Sequence, residues 1–98
     1  MIKILKLVTG EEVLGEVEDE TFTKITLKNP CALHMVPSRA NPDQVGMALV
    51  PYASYTKEHK ISVTMRSIIW EQEPVDELRN QYNSIFGNGI MIAKTLAQ

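Results

Sequence analysis

The 98-residue chain has no apolar stretch approaching the roughly 18–20 residues that a membrane-spanning helix needs. Its first residues, Met1-Ile2-Lys3-Ile4-Leu5-Lys6-Leu7-Val8, are too few and too regularly interrupted by lysine to act as a signal peptide. Cys31 is the only cysteine, so no intrachain disulfide can form, and a reducing cytoplasm is the expected home. There is no internal repeat and no low-complexity segment. Enzyme signatures are also missing: no phosphate-cradling glycine loop, no His-Glu-x-x-His and no nucleophile elbow. Gly87-Asn88-Gly89 is too short for a nucleotide fingerprint. A non-catalytic protein without a cofactor is therefore expected. The formal net charge of -2 gives no global argument for nucleic acid.

What is present is an ordinary globular balance, 44% apolar and 22% charged. The length suits one domain over residues 1–98. A core this small leaves a thin stability margin, which a partner subunit can widen. Charge is uneven along the chain. Residues 1–20 carry a net -4, residues 21–70 a net +4 and residues 71–98 a net -2.

Most of the chain has the period-two alternation of strands. Ile2 to Val8 is a first apolar run, closed by the turn signal Thr9-Gly10. Val13, Gly15 and Val17 then alternate with a largely acidic set, and Gly15 marks a bend or the close approach of another backbone. Ile25 and Leu27 alternate with Lys24, Thr26 and Lys28, up to an interruption at Asn29-Pro30. Cys31, Leu33 and Met35 continue the pattern. Pro37 to Gln44 has the composition of an exposed loop. Val45 to Tyr55 is a fourth strand whose Pro51 argues for an edge or a bulge. Ile61 to Trp70 is a fifth.

After Pro74 the period becomes helical. Val75, Leu78, Tyr82, Ile85 and Phe86 form one stripe, acids crowd the start, and Gly87 supplies the stop. The stripe reads as core or subunit packing, or else as a partner-binding face. Ile90-Met91-Ile92 is a short apolar tail, either a sixth strand or a segment packed on a neighbour. Five strands with frequent turns suggest a small bent barrel; a single sheet carrying one helix is the alternative.

The stretch Lys6-Leu7-Val8-Thr9-Gly10-Glu11-Glu12-Val13-Leu14-Gly15-Glu16-Val17 resembles the first signature of the Sm-like (LSm/Hfq) proteins, in which a turn glycine is followed by an apolar residue and then by a strand glycine where the sheet bends. The pattern continues onto Glu20, Phe22, Lys24 and Leu27. Met65-Arg66-Ser67-Ile68-Ile69 is similar to the second signature. The likeness covers residues 2–36 well and 45–70 loosely, and is nearest to short phage-borne members. The departures are Glu20 for the usual Asp, Lys24 for Asn, Ser67 for Gly, and a helix that comes last rather than first.

The resemblance implies a mostly β, five-stranded, strongly bent Sm-like (SH3-like) barrel over residues 1–72, followed by a C-terminal helix over 75–86 and a tail over 87–98. It further implies closed homo-oligomeric rings, five to seven subunits being plausible, built by strand pairing between neighbours. Single-stranded RNA would be held at the pore by Phe22, Lys24 and Arg66, with Glu20 orienting the loop. The other reading is a structural or protein-interaction ring that binds no nucleic acid.

Each of these residues also has a plainer reading. Phe22 can stack a base or simply pack in a loop. Lys24 and Arg66 can reach bases and phosphates or lie on a solvated face, and Lys28 on the same face reads as exposed. Cys31 and His34 fall on opposite strand faces and make a poor chelate. His59 sits in a polar turn. Glu16, Glu18 and Glu20 read as a solvated acidic face.

Overall fold

The computed structural model describes residues 1–37, 40 and 43–86. The tail over 87–98, the Gly87 stop and most of the expected loop after Pro37 lie outside the described residues. Six strands and one helix follow in the order β1 (Ile2–Leu7), β2 (Glu12–Glu20), β3 (Lys24–Pro37), β4 (Val45–Pro51), β5 (Lys60–Thr64), β6 (Ile68–Gln72) and α1 (Asp76–Phe86). All described pairings are antiparallel. The sheet runs β4-β3-β2-β1-β6, and β5 pairs with β3 off that path.

Two expectations need correction, and a third is met in its coarser form. Among the described residues there are six strands, not five, because the run from Ile61 to Trp70 is broken by a 3-10 turn at Met65–Ser67. The fourth strand stops at Pro51, four residues early. Proline has no N–H to continue a ladder, and left-handed Ala53 (φ 54°) turns the chain just beyond it. Finally, the sheet is not closed: β5 bonds to β3 and β6 to β1, with no ladder between them. Ile61 and Val63 of β5 and Ile68 of β6 nevertheless pack on one core cluster, so the sheet curls around it.

β3 is the organising strand. Its first half, Lys24–Lys28, pairs with β5, and its second half, Cys31–Pro37, pairs with β4. Between them Asn29 adopts a left-handed φ of 51°, a conformation that asparagine tolerates better than most residues. The bend it makes lies opposite Gly15, where the β2–β3 register shifts. A Cβ on Gly15 would sit 3.0 Å from Leu27 Cβ and 3.3 Å from the Lys28 carbonyl oxygen. The glycine is thus needed for close approach.

The core has two parts. Leu5, Leu7, Val13, Ile25 and Leu27 fill the curled sheet. Ile2, Leu14, Cys31, Leu78 and Tyr82 lie beneath α1. The Tyr82 hydroxyl is 2.9 Å from both the Lys28 and the Asn29 carbonyl oxygens, which ties the helix to the bend in β3. Burial pushes the Tyr82 hydroxyl pKa well up and raises the Cys31 thiol to about 11. The apolar stripe of α1 is narrower than its spacing suggests. Leu78 and Tyr82 are buried and Phe86 packs against them, while Val75 and Ile85 face outward. No described helix is long and apolar enough to cross a membrane.

Candidate nucleic-acid interface

The β2–β3 hairpin turns through Thr21-Phe22-Thr23, and a threonine hydroxyl shapes it. The Thr21 Oγ1 lies 3.3 Å from the backbone nitrogens of both Thr23 and Lys24, accepting from their N–H groups. The Thr21 N–H donates to the Lys24 carbonyl at 2.8 Å. This is the local turn chemistry that Ser and Thr offer when a chain reverses. Nothing lies over the ring of Phe22, which is 101% exposed. Packing does not account for this phenylalanine.

A second loop is stitched to this tip. The Met65 N–H donates to the Thr23 carbonyl at 2.8 Å, and Lys24 stands opposite Thr64 in the β3–β5 ladder. Arg66 therefore follows directly on the residue that anchors the two loops. Ser67 suits this turn in its own way. Its hydroxyl lies 3.1 Å from that of Thr64, and its carbonyl accepts from the Val8 N–H at 2.8 Å. Phe22, Lys24 and Arg66, remote in sequence, thus belong to one end of the molecule.

Glu20 stands apart from them in role. Its carboxylate lies 3.5 Å from Lys3 Nζ on β1, and the turn's hydrogen bonds come from Thr21 instead. Lys3 is held more firmly by Glu71 at 2.6 Å, and that hydrogen bond raises the Lys3 pKa. A hydroxyl, rather than the Glu20 carboxylate, makes the side-chain hydrogen bonds of this turn. The Thr-x-Thr turn between two strands is the sequence signal for it.

The electrostatics sharpen the picture. Lys6 pairs with Glu12, Lys60 with Glu18 and Glu58, and Arg79 with Glu73 and Asp76. The N-terminal amine meets Glu16. Among the described residues, Lys24, Lys28, Lys57 and Arg66 make no salt bridge. Two of these four are at the double-loop tip and Lys28 is on the same strand as Lys24. Most acids are engaged with the other cations, which leaves Lys24 and Arg66 unpaired at the tip among the described residues, with Asp19 close by on β2 opposite Thr26.

No cluster of three metal-ligating side chains occurs among the described residues. Cys31 is buried and His34 exposed, on opposite faces of β3. No family model matches the chain, and no curated protein matches it. The class defined by fold and site is a mostly β domain with a curled antiparallel sheet, a C-terminal helix and a cationic, aromatic-tipped double loop.

Proposed function

We propose that the chain is an Sm-like protein that forms a homo-oligomeric ring and binds single-stranded RNA at the pore through Phe22, Lys24 and Arg66, without catalysis. The observation that carries the reading is the joining of the hairpin tip to the Met65–Ser67 turn. It brings to one end of the molecule an exposed aromatic ring and two cations that make no salt bridge among the described residues. Stacking on an aromatic platform is worth about 1–3 kcal/mol per base. Each phosphate neutralised adds a salt-dependent increment. Repeated around a ring, these small terms add up.

The barrel follows on the same reading. β4 and β5 each pair with one half of β3, so they serve as two halves of one interrupted strand. With them counted together, five strands wrap the core and leave two open edges, one formed by β4 and β5 and the other by β6. Both edges carry exposed apolar side chains, Val45, Met47 and Val50 on one and Ile69 and Trp70 on the other. Pairing β4 of one subunit with β6 of the next would cover both edges and, repeated, close a ring. The same exposed edges support the second reading, a ring that works only through protein contacts.

Titration of labelled single-stranded RNA separates the two. The wild type binds at low salt, and Lys24→Ala or Arg66→Ala each weakens binding several-fold. Light scattering on the same sample gives a mass of several subunits. Absence of binding at low salt, or binding indifferent to both changes, refutes the RNA reading. A monomer at micromolar concentration refutes the ring.

A further inference from the structure

We infer that the outward face of the β3–β5 ribbon is a track for the phosphodiester backbone of single-stranded RNA, leading away from the hairpin tip. The inference rests on the RNA reading above and extends it to a second surface. In an antiparallel ladder, partners opposite one another share a face. The pairs Lys24↔Thr64, Thr26↔Ser62 and Lys28↔Lys60 therefore stand together. The Thr26 and Ser62 hydroxyl oxygens, 2.9 Å apart, show that this pair does meet. The whole face consists of lysines and hydroxyl residues, with no apolar side chain and no acid.

Two of its three lysines are available. Lys60 is engaged by Glu18 at 2.9 Å and Glu58 at 3.5 Å, whereas Lys24 and Lys28 make no salt bridge among the described residues. Four residues along a strand place these two ammonium groups about 13 Å apart, with the Thr26–Ser62 hydroxyl pair between them. Ammonium groups flanking hydroxyls suit a run of phosphates: the former neutralise, and the latter donate hydrogen bonds. Nothing on the face is built to read a base edge. Acids border it: Asp19 stands opposite Thr26 and Glu16 opposite Lys28 in the β2–β3 register, Glu16 being engaged by the N-terminal amine, and Glu18 and Glu58 hold Lys60.

The test uses the full chain and oligouridylates of about 4 and about 16 nucleotides, spanning the site sizes of small single-strand-binding folds. Lys28→Ala weakens the long oligomer about three- to tenfold and leaves the short one, confined to the tip, unchanged. It also lowers the magnitude of the log affinity–log salt slope by about 0.7, the share of one phosphate on a single strand. Asp19→Asn tightens the long oligomer. Lys6→Gln, an equal charge change on β1, alters neither. Circular dichroism establishes that the variants are folded.

Equal affinity of Lys28→Ala and wild type for the long oligomer overturns the track, as does an equal loss on both lengths. If either result comes with binding that still depends on Lys24 and Arg66, the tip reading stands and the track alone falls. If the wild type binds neither oligomer, both fall.

Discussion

Removing one oxygen atom, by Tyr82→Phe, tests whether α1 is a structural strut for the sheet. The Tyr82 side chain is 2% exposed, and its hydroxyl sits 2.9 Å from two carbonyl oxygens at the bend of β3. The single proton is shared between them. Deleting a hydrogen bond of this kind costs about 1 kcal/mol net, and a carbonyl left dry adds a desolvation penalty, for about 1–3 kcal/mol in total. The phenyl ring keeps its packing against Phe86, with centroids 5.0 Å apart, so little cavity cost is added. The expected loss is about 2 kcal/mol, or roughly 10 °C in Tm for a domain of this size. The assay is urea unfolding followed by far-UV circular dichroism, at one protomer concentration because assembly shifts apparent stability. The denaturant slope stays constant, since the surface exposed on unfolding is unchanged. A loss below about 0.5 kcal/mol would show that the clamp contributes nothing and that α1 is held by Leu78 and the ring alone.

The buried thiol gives a pH signature. Cys31 has its folded pKa raised from 9.0 to about 11, so its contribution is fully present below pH 9 and is lost as pH rises toward 11. The upward shift of Tyr82 acts in the same direction above pH 10. Urea midpoints measured from pH 8 to 10.5 should fall, less steeply in Cys31→Ala; a flat profile contradicts this. Gly15→Ala forces a Cβ into contact at 3.0 Å with Leu27 and should cost about 1–3 kcal/mol of unfolding free energy. At the tip, Thr21→Val should weaken RNA binding more than Glu20→Gln does, because the hydroxyl shapes the turn; the reverse order in anisotropy titrations would restore the acid to the orienting role. Lys24 supplies charge but not the paired donor and acceptor of an amide. Oligo-U and other oligomers should therefore bind within a few-fold of one another at fixed salt, and strong discrimination would argue against a phosphate-dominated contact.

Period-two alternation made β2 and the first half of β3 legible and an apolar run made β1 legible, whereas in the second half of β3 Cys31 and Ala32 are both buried and Met35, expected on the apolar face, is exposed. Gly15 was legible from the alternation of β2: a glycine at a core-facing strand position leaves room for something, here Leu27 and the Lys28 carbonyl. The break at Met65–Ser67 was not legible. Apolar residues continue through Met65, Ile68 and Ile69, and what stops the strand is a tertiary event, the Met65 N–H bonding to Thr23 instead of a ladder partner. The helix stripe was over-read because periodicity reports which residues share a side, not how far the sheet beneath extends. Val75 and Ile85 overhang it. At the tip, Phe22, Lys24 and Arg66 were marked by residue type. The role of Thr21 depends on a turn geometry that spacing alone does not specify.

The topology separates the two tasks proposed for this chain. The first half of β3, with β5, carries the tip and the lysine–hydroxyl face, while the second half, with β4, presents an apolar edge. The bend at Asn29 and Pro30 divides them, and α1 braces that bend through Tyr82. Substitutions on the β3–β5 half should therefore leave assembly intact, and those on the β4 edge should leave the RNA-binding surface of each chain intact. Met47→Lys places a charge on the β4 edge and should reduce particle mass while leaving each protomer folded. Lys28→Ala should alter RNA affinity without changing mass. Avidity links the two in only one direction, since fewer subunits mean fewer simultaneous contacts, so the edge variant loses affinity for long RNA whereas the face variant keeps its assembly. That asymmetry follows from where the strand bends.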